Sequence, residues 1–187
     1  HTRVDDRVQQ VIDRIQVGNV YVNRNQIGAV VGSQPFGGHG KSGTGPKAGG
    51  PLYLKAFCTS GVGASSFERP VDLPGPTGES NRYSLEPRSD IYCLGPSKET
   101  AQQQAAFAES LGCKNVVVAH DLDLAKLTTL DQLSAVLYWG IEPKPIRAAL
   151  ANRDGKIVPL LTNKTSSLGL IDEVVVCVDT TASGGNA

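Results

Sequence analysis

The chain has 187 residues, of which 40% are hydrophobic, and its 18 Lys and Arg residues balance its 18 Asp and Glu residues. A neutral chain creates no overall field that would attract nucleic acid, so we expect no nucleic-acid partner. No apolar run reaches the roughly 20 residues that a membrane-spanning helix requires, and the N-terminus has no charged-then-apolar leader. We therefore expect a cytoplasmic protein.

The first 57 residues predict a helix, a strand and a long loop. Apolar residues at helical spacing predict an amphipathic helix over residues 3–16, followed by a short strand at 20–22. Nine of the 23 residues from Gly28 to Gly50 are glycine, which predicts an irregular loop. Residues 51–57 predict a strand that leaves this loop.

The sequence after residue 58 predicts first a linker and then an α/β unit. Residues 59–80 are rich in Gly, Ser and Pro, which is typical of a linker. Strands are then predicted at 90–94, 115–119, 135–139, 157–161 and 173–178. Helices are predicted from the N-cap Ser97 to Gly112 and over 145–152. This alternation predicts a small, doubly wound, mostly parallel sheet that is Rossmann-like, and the apolar strand 115–119 is expected to be covered on both faces.

The four cysteines are far apart in the sequence, which argues against a metal site or a compact disulfide framework. They are Cys58, Cys93, Cys113 and Cys177. We expect reduced cysteines with packing roles. His39 and His120 belong to no recognisable motif, so we expect surface or hydrogen-bonded histidines and no metal ligands.

Two segments match the residue pattern of a nucleotide-binding motif but lack the sequence context that such a motif requires. Residues 38–43, GHGKSG, match the dinucleotide fingerprint GxGxxG, but the sequence that follows cannot begin a helix. Residues 40–42 resemble the end of a phosphate loop, but Pro35 stands where that motif needs glycine. Because both kinds of site use a helix N-terminus, we expect neither here.

Three segments carry a resemblance to a known family. NVYVNRN (19–25), GAVVGSQPFGG (28–38) and SGTGPKAGGP (42–51) resemble the C-terminal stretch of aldehyde dehydrogenases, in the branch that oxidises glutamate semialdehyde, the open form of pyrroline-5-carboxylate. The match through residue 54 is similar to the proline utilization A family, in which proline dehydrogenase is fused to that enzyme. LPGPTGE (73–79) and DTTASGGNA (179–187) resemble the lead-in and closing motif of the extra C-terminal domain of longer members.

The resemblance implies a division of the chain into three parts. Residues 1–58 would be the C-terminal segment of the aldehyde dehydrogenase catalytic domain, 59–80 the linker, and 81–187 a C-terminal α/β domain that resembles a degenerate dehydrogenase fold. A lid or interface role is the first expectation for the last part.

The resemblance also implies a function, the NAD-dependent oxidation of glutamate semialdehyde to glutamate. The nucleophilic Cys, the general base Glu and the NAD fold would lie upstream, so no catalytic, cofactor-binding or metal-binding residue is expected in this chain. What the chain would contribute is substrate binding. The backbone N–H groups of Gly28 and Ala29 would hold the substrate carboxylate, and Phe36 would form an apolar wall beside its methylenes.

Cofactors and partners follow from the same resemblance. The longer protein would use NAD and FAD, with neither bound by this chain, and would be a homo-oligomer with a possible peripheral position at the inner membrane. Glutamate semialdehyde would be the small-molecule substrate, and the remainder of the enzyme would be the protein partner. We expect the isolated chain to be inactive.

The alternatives stay open. The chain could be a noncatalytic structural or oligomerisation domain, or a nucleotide-binding α/β domain. Phe36 could be an ordinary core residue. Asn23 and Asn25 are expected to brace the loop through bonds from side chain to backbone, and Lys41 and Lys47 are expected to be solvated.

Overall fold

The strands in the described part of the chain form two four-stranded sheets. The computed structural model describes residues 1–2, 4–43, 45–57, 70–164 and 167–180. One sheet combines strands from both ends of the described chain, whereas the other lies wholly in its middle. Helices and strands alternate through the middle part, so the predicted α/β class is confirmed.

Helix α1 spans Asp5–Ile12, inside the predicted range of 3–16. Asp5 and Asp6 lie in its first turn, where carboxylates interact favourably with the N-terminal end of the helix dipole. No residue of α1 is buried, and an open groove of about 1460 Å³ separates the helix from the face of the first sheet. The apolar side of α1 therefore lacks close packing within this chain.

The first sheet has the strand order β1-β8-β3-β2. Its strands are β1 (Asn19–Val22), β2 (Val71–Leu73), β3 (Glu79–Pro87) and β8 (Ile171–Asp179). β1 runs parallel to β8, and the other pairs are antiparallel. Val175 in β8 is paired with Asn19 on one side and with Tyr83 on the other, so the last strand joins the start of the chain to its centre.

The second sheet is entirely parallel, in the order β5-β4-β6-β7. Its strands are β4 (Ser89–Cys93), β5 (Lys114–Val118), β6 (Ala135–Leu137) and β7 (Leu160–Leu161), and the helices between them are α2 (Lys98–Ser110) and α3 (Lys144–Ala151). Ala135 and Leu137 pack in one apolar cluster with α2, and Val136 packs in another with Ile146 of α3. Because alternate residues of a strand point to opposite faces, the helices cover both faces, as the doubly wound prediction required.

The ends of α2 follow the predicted capping pattern. The N–H of Thr100 donates to the Ser97 hydroxyl at 3.3 Å, which satisfies one of the free donors of the first turn. At the other end Gly112 has a φ of +86°, a conformation that glycine adopts without steric cost. The helix therefore begins and ends where the sequence indicates.

The strand predicted at 51–57 is wrong. A 3-10 helix occupies Leu54–Phe57, and local bonds satisfy its backbone, including Lys55 N–H to Leu52 O at 3.0 Å. The side chains of Tyr53 and Phe57 pack edge to face with ring centres 5.5 Å apart. A short apolar segment becomes a strand only where a neighbouring strand can pair with it.

Two other strands lie in unexpected surroundings. β5, predicted to be covered on both faces, is an edge strand, and Val117 and Val118 are 39% and 40% exposed. The strand predicted at 173–178 is β8, which belongs to the first sheet and not to the parallel one. Continuous apolar runs indicate strands, but they do not specify strand order.

The predicted linker contains regular structure. β2 lies inside residues 59–80 and pairs with β3, whereas 58–69 and 181–187, with Cys58 and most of the closing motif, lie outside the described residues. The division into 1–58, 59–80 and 81–187 stays a prediction. The pairing of β1 with β8 nevertheless crosses it, so the two ends of the chain share one sheet.

Candidate functional site

The glycine-rich loop (residues 28–50) begins with two exposed backbone donors. Asn25 leads into it, and its Oδ1 accepts the N–H of Ile27 at 3.1 Å. Gly28 has a φ of +84°, and both Gly28 and Ala29 are exposed. Neither N–H takes part in a hydrogen bond within the described part of the chain. Consecutive free N–H groups beside a left-handed residue are suited to bind an anion.

Asn23 holds a different segment from the one predicted. Its side chain exchanges two hydrogen bonds of 2.8 Å with the backbone of Thr2, and so it anchors the N-terminus. Asn25 does brace the entrance to the loop, as predicted. The two asparagines are two residues apart in sequence, but they act on different parts of the chain.

Phe36 lies on the outside of the loop with a fixed backbone. Its N–H donates to Ala48 O at 3.1 Å, and the N–H of Ala48 donates back to Phe36 O at 2.9 Å. The Gly32 N–H donates to Gly49 O at 3.2 Å, which ties the two halves of the loop a second time. Phe36 is 51% exposed, so ordinary core packing does not describe its position in this chain.

The side-chain amide of Asn19 holds the residues on both sides of Phe36. Its Nδ2 donates to Pro35 O at 2.8 Å, and its Oδ1 accepts the N–H of Gly37 at 3.2 Å. Asn19 is the first residue of β1. The position of the Phe36 backbone is therefore set by the edge of the first sheet.

Lys47 is buried, contrary to the expectation that it is solvated. Only 2% of the residue is exposed, and its Nζ donates to Asn19 Oδ1 at 2.8 Å and to Gly37 O at 2.5 Å. Burial lowers the pKa of Lys47 to about 8, while the charges of Glu173 and Asp172 act in the opposite direction. No local pattern in the sequence indicates this burial, because the space for the Lys47 side chain is created by residues distant from it in the chain.

Glu173 receives two hydrogen bonds inside the protein. Its Oε2 accepts the backbone N–H of Lys47 at 2.6 Å, and its Oε1 accepts the Tyr83 hydroxyl at 2.7 Å. Burial, assisted by the adjacent carboxylate, raises the pKa of Tyr83 well above its usual range. His39 also has partners, since its Nε2 lies 3.1 Å from Glu173 O and 4.0 Å from Asp172 Oδ1.

A second polar cluster anchors the first half of the loop to β3. The Arg24 guanidinium pairs with the Glu79 carboxylate, which also accepts the side-chain N–H groups of Gln34 at 2.7 Å and Asn81 at 2.8 Å. Sequence reasoning missed this cluster because it treated residue 79 as part of a lead-in to a domain. The available signal was period-two alternation, since buried Asn81 and Tyr83 alternate with exposed neighbours.

Other kinds of site find no support in the described residues. No three His, Cys, Asp or Glu side chains there come together as a possible metal site. No α-helix follows residues 38–43 before residue 57 in the described part, so the GHGKSG segment lacks the helix of a dinucleotide site. No helix among the described residues combines the length and the apolar character needed to cross a membrane.

Known proteins resemble the chain in sequence, some over its first part and others over its whole length. The sequence profile of the Aldehyde dehydrogenase family matches residues 1–61. The whole chain aligns at 32% identity with the bifunctional protein PutA of Rhizobium meliloti, of which it covers 21%. Over 49 residues, 26% of the chain and 10% of the relative, it is 53% identical to 1-pyrroline-5-carboxylate dehydrogenase of Bacillus thuringiensis (strain Al Hakam).

A solved structure shares the fold along the entire chain. The structure of Proline Utilization A (PutA) from Corynebacterium freiburgense matches with a TM-score of 0.66 at 21% identity, over 100% of this chain and 23% of that one. The chain spans about a fifth of the length of the curated PutA relatives that it matches over its whole length. The sequence and fold matches together place the chain in the PutA family, as a segment from its C-terminal part whose first 61 residues match the aldehyde dehydrogenase family.

Proposed function

We propose that this chain is the substrate-anchoring part of a longer PutA-type protein that oxidises glutamate semialdehyde to glutamate with NAD. The observation that carries the proposal is the construction of the glycine-rich loop. Buried polar groups fix its two halves, but Gly28, Ala29 and Phe36 remain exposed. A loop that is fixed from within and open at its surface can bind a ligand with little ordering cost.

The chemistry of the exposed groups suits the substrate. Glutamate semialdehyde carries an α-carboxylate and a short run of methylenes before its aldehyde. The free N–H groups of Gly28 and Ala29 can donate to the carboxylate, and the open face of the Phe36 ring can pack beside the methylenes. Binding the inert end of the substrate in this way sets where the aldehyde lies relative to the catalytic groups.

The reacting groups come from the rest of the longer protein. An aldehyde dehydrogenase needs an accessible thiolate, but Cys93, Cys113 and Cys177 are buried and their pKa values are raised by burial. None of these three thiols therefore fits the nucleophile. NAD would bind the upstream part, and FAD would serve the fused proline dehydrogenase. No step of the chemistry is assigned to a residue of this chain.

Exposed apolar surface supports the remainder of the enzyme as the partner. Ile27, Val31, Leu54 and Phe57 are between 72% and 82% exposed, and α1 buries none of its residues. Soluble proteins rarely leave so many large apolar groups together on one segment unless another surface covers them. A homo-oligomeric assembly and a cytoplasmic location are part of the same proposal.

A second candidate is a noncatalytic structural or assembly role. The observation in its favour is that Glu173 of β8 accepts the Lys47 N–H of the loop and is itself held by the hydroxyl of Tyr83 in β3. The two roles differ in one measurement, because a purely structural segment would leave substrate affinity unchanged when Phe36 or the Ala29 N–H is altered. A nucleotide-binding role would instead give saturable binding of NAD to the 187-residue chain in calorimetry.

The test uses the longer protein and two substitutions in the loop. Ala29→Pro removes one N–H donor, and Phe36→Ala removes the ring. Each is expected to raise KM for glutamate semialdehyde about tenfold, a change typical of one lost binding contact, without raising KM for NAD. Ile141→Ala, at a position that is 95% exposed, is the control. Unchanged KM in both variants would contradict the proposal, as would NAD reduction by the 187-residue chain alone.

A further inference from the structure

The buried side chain of Lys47 occupies space that glycine leaves open. A methyl group on Gly18 would overlap both Gly37 O and Lys47 Nζ, and one on Gly37 would lie 3.3 Å from the Cα and Cγ of Lys47. Two glycines in separate parts of the sequence therefore make room for one lysine. The glycine-rich loop is packed around this side chain and does not simply connect two elements.

The bonds of Lys47 converge on the segment that carries Phe36. Its Nζ donates to Gly37 O and to Asn19 Oδ1, and Asn19 in turn bonds Pro35 O and the Gly37 N–H. Both neighbours of Phe36 are thus held by the same pair of side chains. An apolar side chain of similar length could fill the space without the cost of desolvating an amine, but it could form none of these bonds.

The other end of this network lies in the last strand. Glu173 of β8 accepts the Lys47 N–H at 2.6 Å and the Tyr83 hydroxyl at 2.7 Å, and only 6% of Glu173 is exposed. A Cβ on Gly50 would lie 3.4 Å from Glu173 Oε1, so the loop backbone comes close to this carboxylate. A continuous set of hydrogen bonds runs from Tyr83 through Glu173, Lys47 and Asn19 to the backbone around Phe36.

The connection is independent of the strand pairing beside it. β1 and β8 are hydrogen-bonded along four paired positions, from Asn19 with Val175 to Val22 with Val178. That pairing fixes β1, but the described residues of the loop, 28–43 and 45–50, form no strand and are ordered in sheet fashion only by the bridge between Phe36 and Ala48. Near Phe36 the loop is therefore held by the contacts of Lys47, Asn19 and Glu173, whereas Glu79 holds it at Gln34.

We propose that Lys47 and Glu173 are positioning residues that couple β8 to the glycine-rich loop, so that the C-terminal strand holds Phe36 and its neighbours in the geometry that binds the aldehyde substrate. The identity of that substrate rests on the proposed function, whereas the coupling itself rests only on these contacts. Glu173 and Lys47 are buried and touch no substrate. They act through the backbone of residues 35–37.

The first experiment measures the coupling in the 187-residue chain by amide hydrogen exchange. Lys47→Met keeps the volume of the side chain and removes its donors. It is expected to accelerate exchange at Phe36 and Gly37 about tenfold, since local opening becomes easier, while amides of β4 and β6 keep their rates. Glu173→Ala should act in the same way. Glu173→Gln should stay near the parent rates, because an amide can accept from the Lys47 N–H and donate to the Tyr83 oxygen.

Control variants distinguish a specific coupling between β8 and the loop from a general increase in hydrogen exchange. Lys41→Met changes an exposed lysine of the same loop and is expected to leave all rates unchanged. If Lys47→Met does not fold, Tyr83→Phe serves as the milder variant, because it removes only the hydroxyl that donates to Glu173. It is expected to accelerate amide exchange at Lys47 and Gly37. Unchanged loop protection in a folded Lys47→Met protein, or in Tyr83→Phe where that is the folded variant, would overturn the proposal.

The second experiment measures substrate selectivity in the longer protein. Lys47→Met is expected to raise KM for glutamate semialdehyde about tenfold, with kcat and the KM values for NAD and for acetaldehyde, which has no methylene to pack beside Phe36, unchanged. Equal increases for both aldehydes would show a merely structural role and overturn the proposal. If the parent protein does not oxidise glutamate semialdehyde, the proposed function is refuted. The coupling between β8 and the loop would still be tested by the hydrogen-exchange rates, which do not depend on the substrate.

Discussion

The guanidinium of Arg24 and the carboxylate of Glu79 form an ion pair that joins the end of β1 to the start of β3. The two side chains are only 15% and 8% exposed, and they lie 55 residues apart in the sequence. The same carboxylate binds Gln34 of the glycine-rich loop. Glu79 of β3, an inner strand of the first sheet, thus connects this strand to the residues after β1 and to the loop.

Removing that carboxylate should leave a buried charge without its partner. We expect Glu79→Ala to lower the free energy of unfolding by about 3 kcal/mol, because Arg24 stays buried and Gln34 and Asn81 lose an acceptor. Urea unfolding followed by circular dichroism measures the change. Glu142→Ala, at an exposed position, is the matched control and should change stability by less than about 0.5 kcal/mol. A similar small effect at residue 79 would refute the role assigned to the ion pair.

A methyl group at Gly18 tests the close packing around Lys47. A Cβ there would overlap Gly37 O and Lys47 Nζ, whereas a Cβ on Gly45 has no neighbour within 4 Å. Gly18→Ala is expected to destabilise the chain by about 2 kcal/mol. Gly45→Ala is expected to be neutral or slightly stabilising. Thermal unfolding of both variants provides the comparison, and equal midpoints would count against the packing described.

The buried amine of Lys47 should make stability depend on pH in the alkaline range. Its pKa in the folded chain is about 8, below the ordinary value of 10.5. At pH 7 both states hold the proton, so the penalty of burial is fully present. As pH rises from 8 towards 10.5 the folded chain releases the proton first, and the free energy of unfolding rises.

The measurement compares the parent chain with Lys47→Met. We expect the unfolding free energy of the parent, relative to that of the variant, to increase by about 2 kcal/mol between pH 7 and pH 10. Denaturant titrations at the two pH values give this difference. Lys41→Met should show no such increase. A difference that stays constant or falls with pH would contradict the burial of an ionisable Lys47.

Two buried thiols should resist alkylation in the native chain. Burial raises the pKa of Cys93 to about 12 and that of Cys113 to about 11, and both side chains are enclosed in the core between α2 and the parallel sheet. Because only the thiolate reacts readily, iodoacetamide at pH 8 is expected to modify these residues only after unfolding in guanidinium. Peptide mass spectrometry locates the label. Rapid labelling of Cys93 in the folded chain would contradict its placement.

The sequence by itself determined the local structure wherever one period dominates. The extent and caps of α2, the short strand β1, and the irregular character of the described residues in 28–50 were all predicted, and the structure confirms them. The family resemblance also came from sequence alone, because it depends on the order of residues in GAVVGSQPFGG and SGTGPKAGGP. These features depend on backbone preferences and on neighbours a few residues away.

The tertiary structure decided which distant groups meet. Strand order made β5 an edge strand and moved β8 into the first sheet, and the lack of a pairing strand left a 3-10 helix at Leu54–Phe57. The burial of Lys47 needed Gly18, Asn19 and Glu173 at once. A periodic pattern shows which face of an element is apolar. The partner of a buried polar group is fixed only when the chain folds, because its desolvation must be offset by residues far away in sequence.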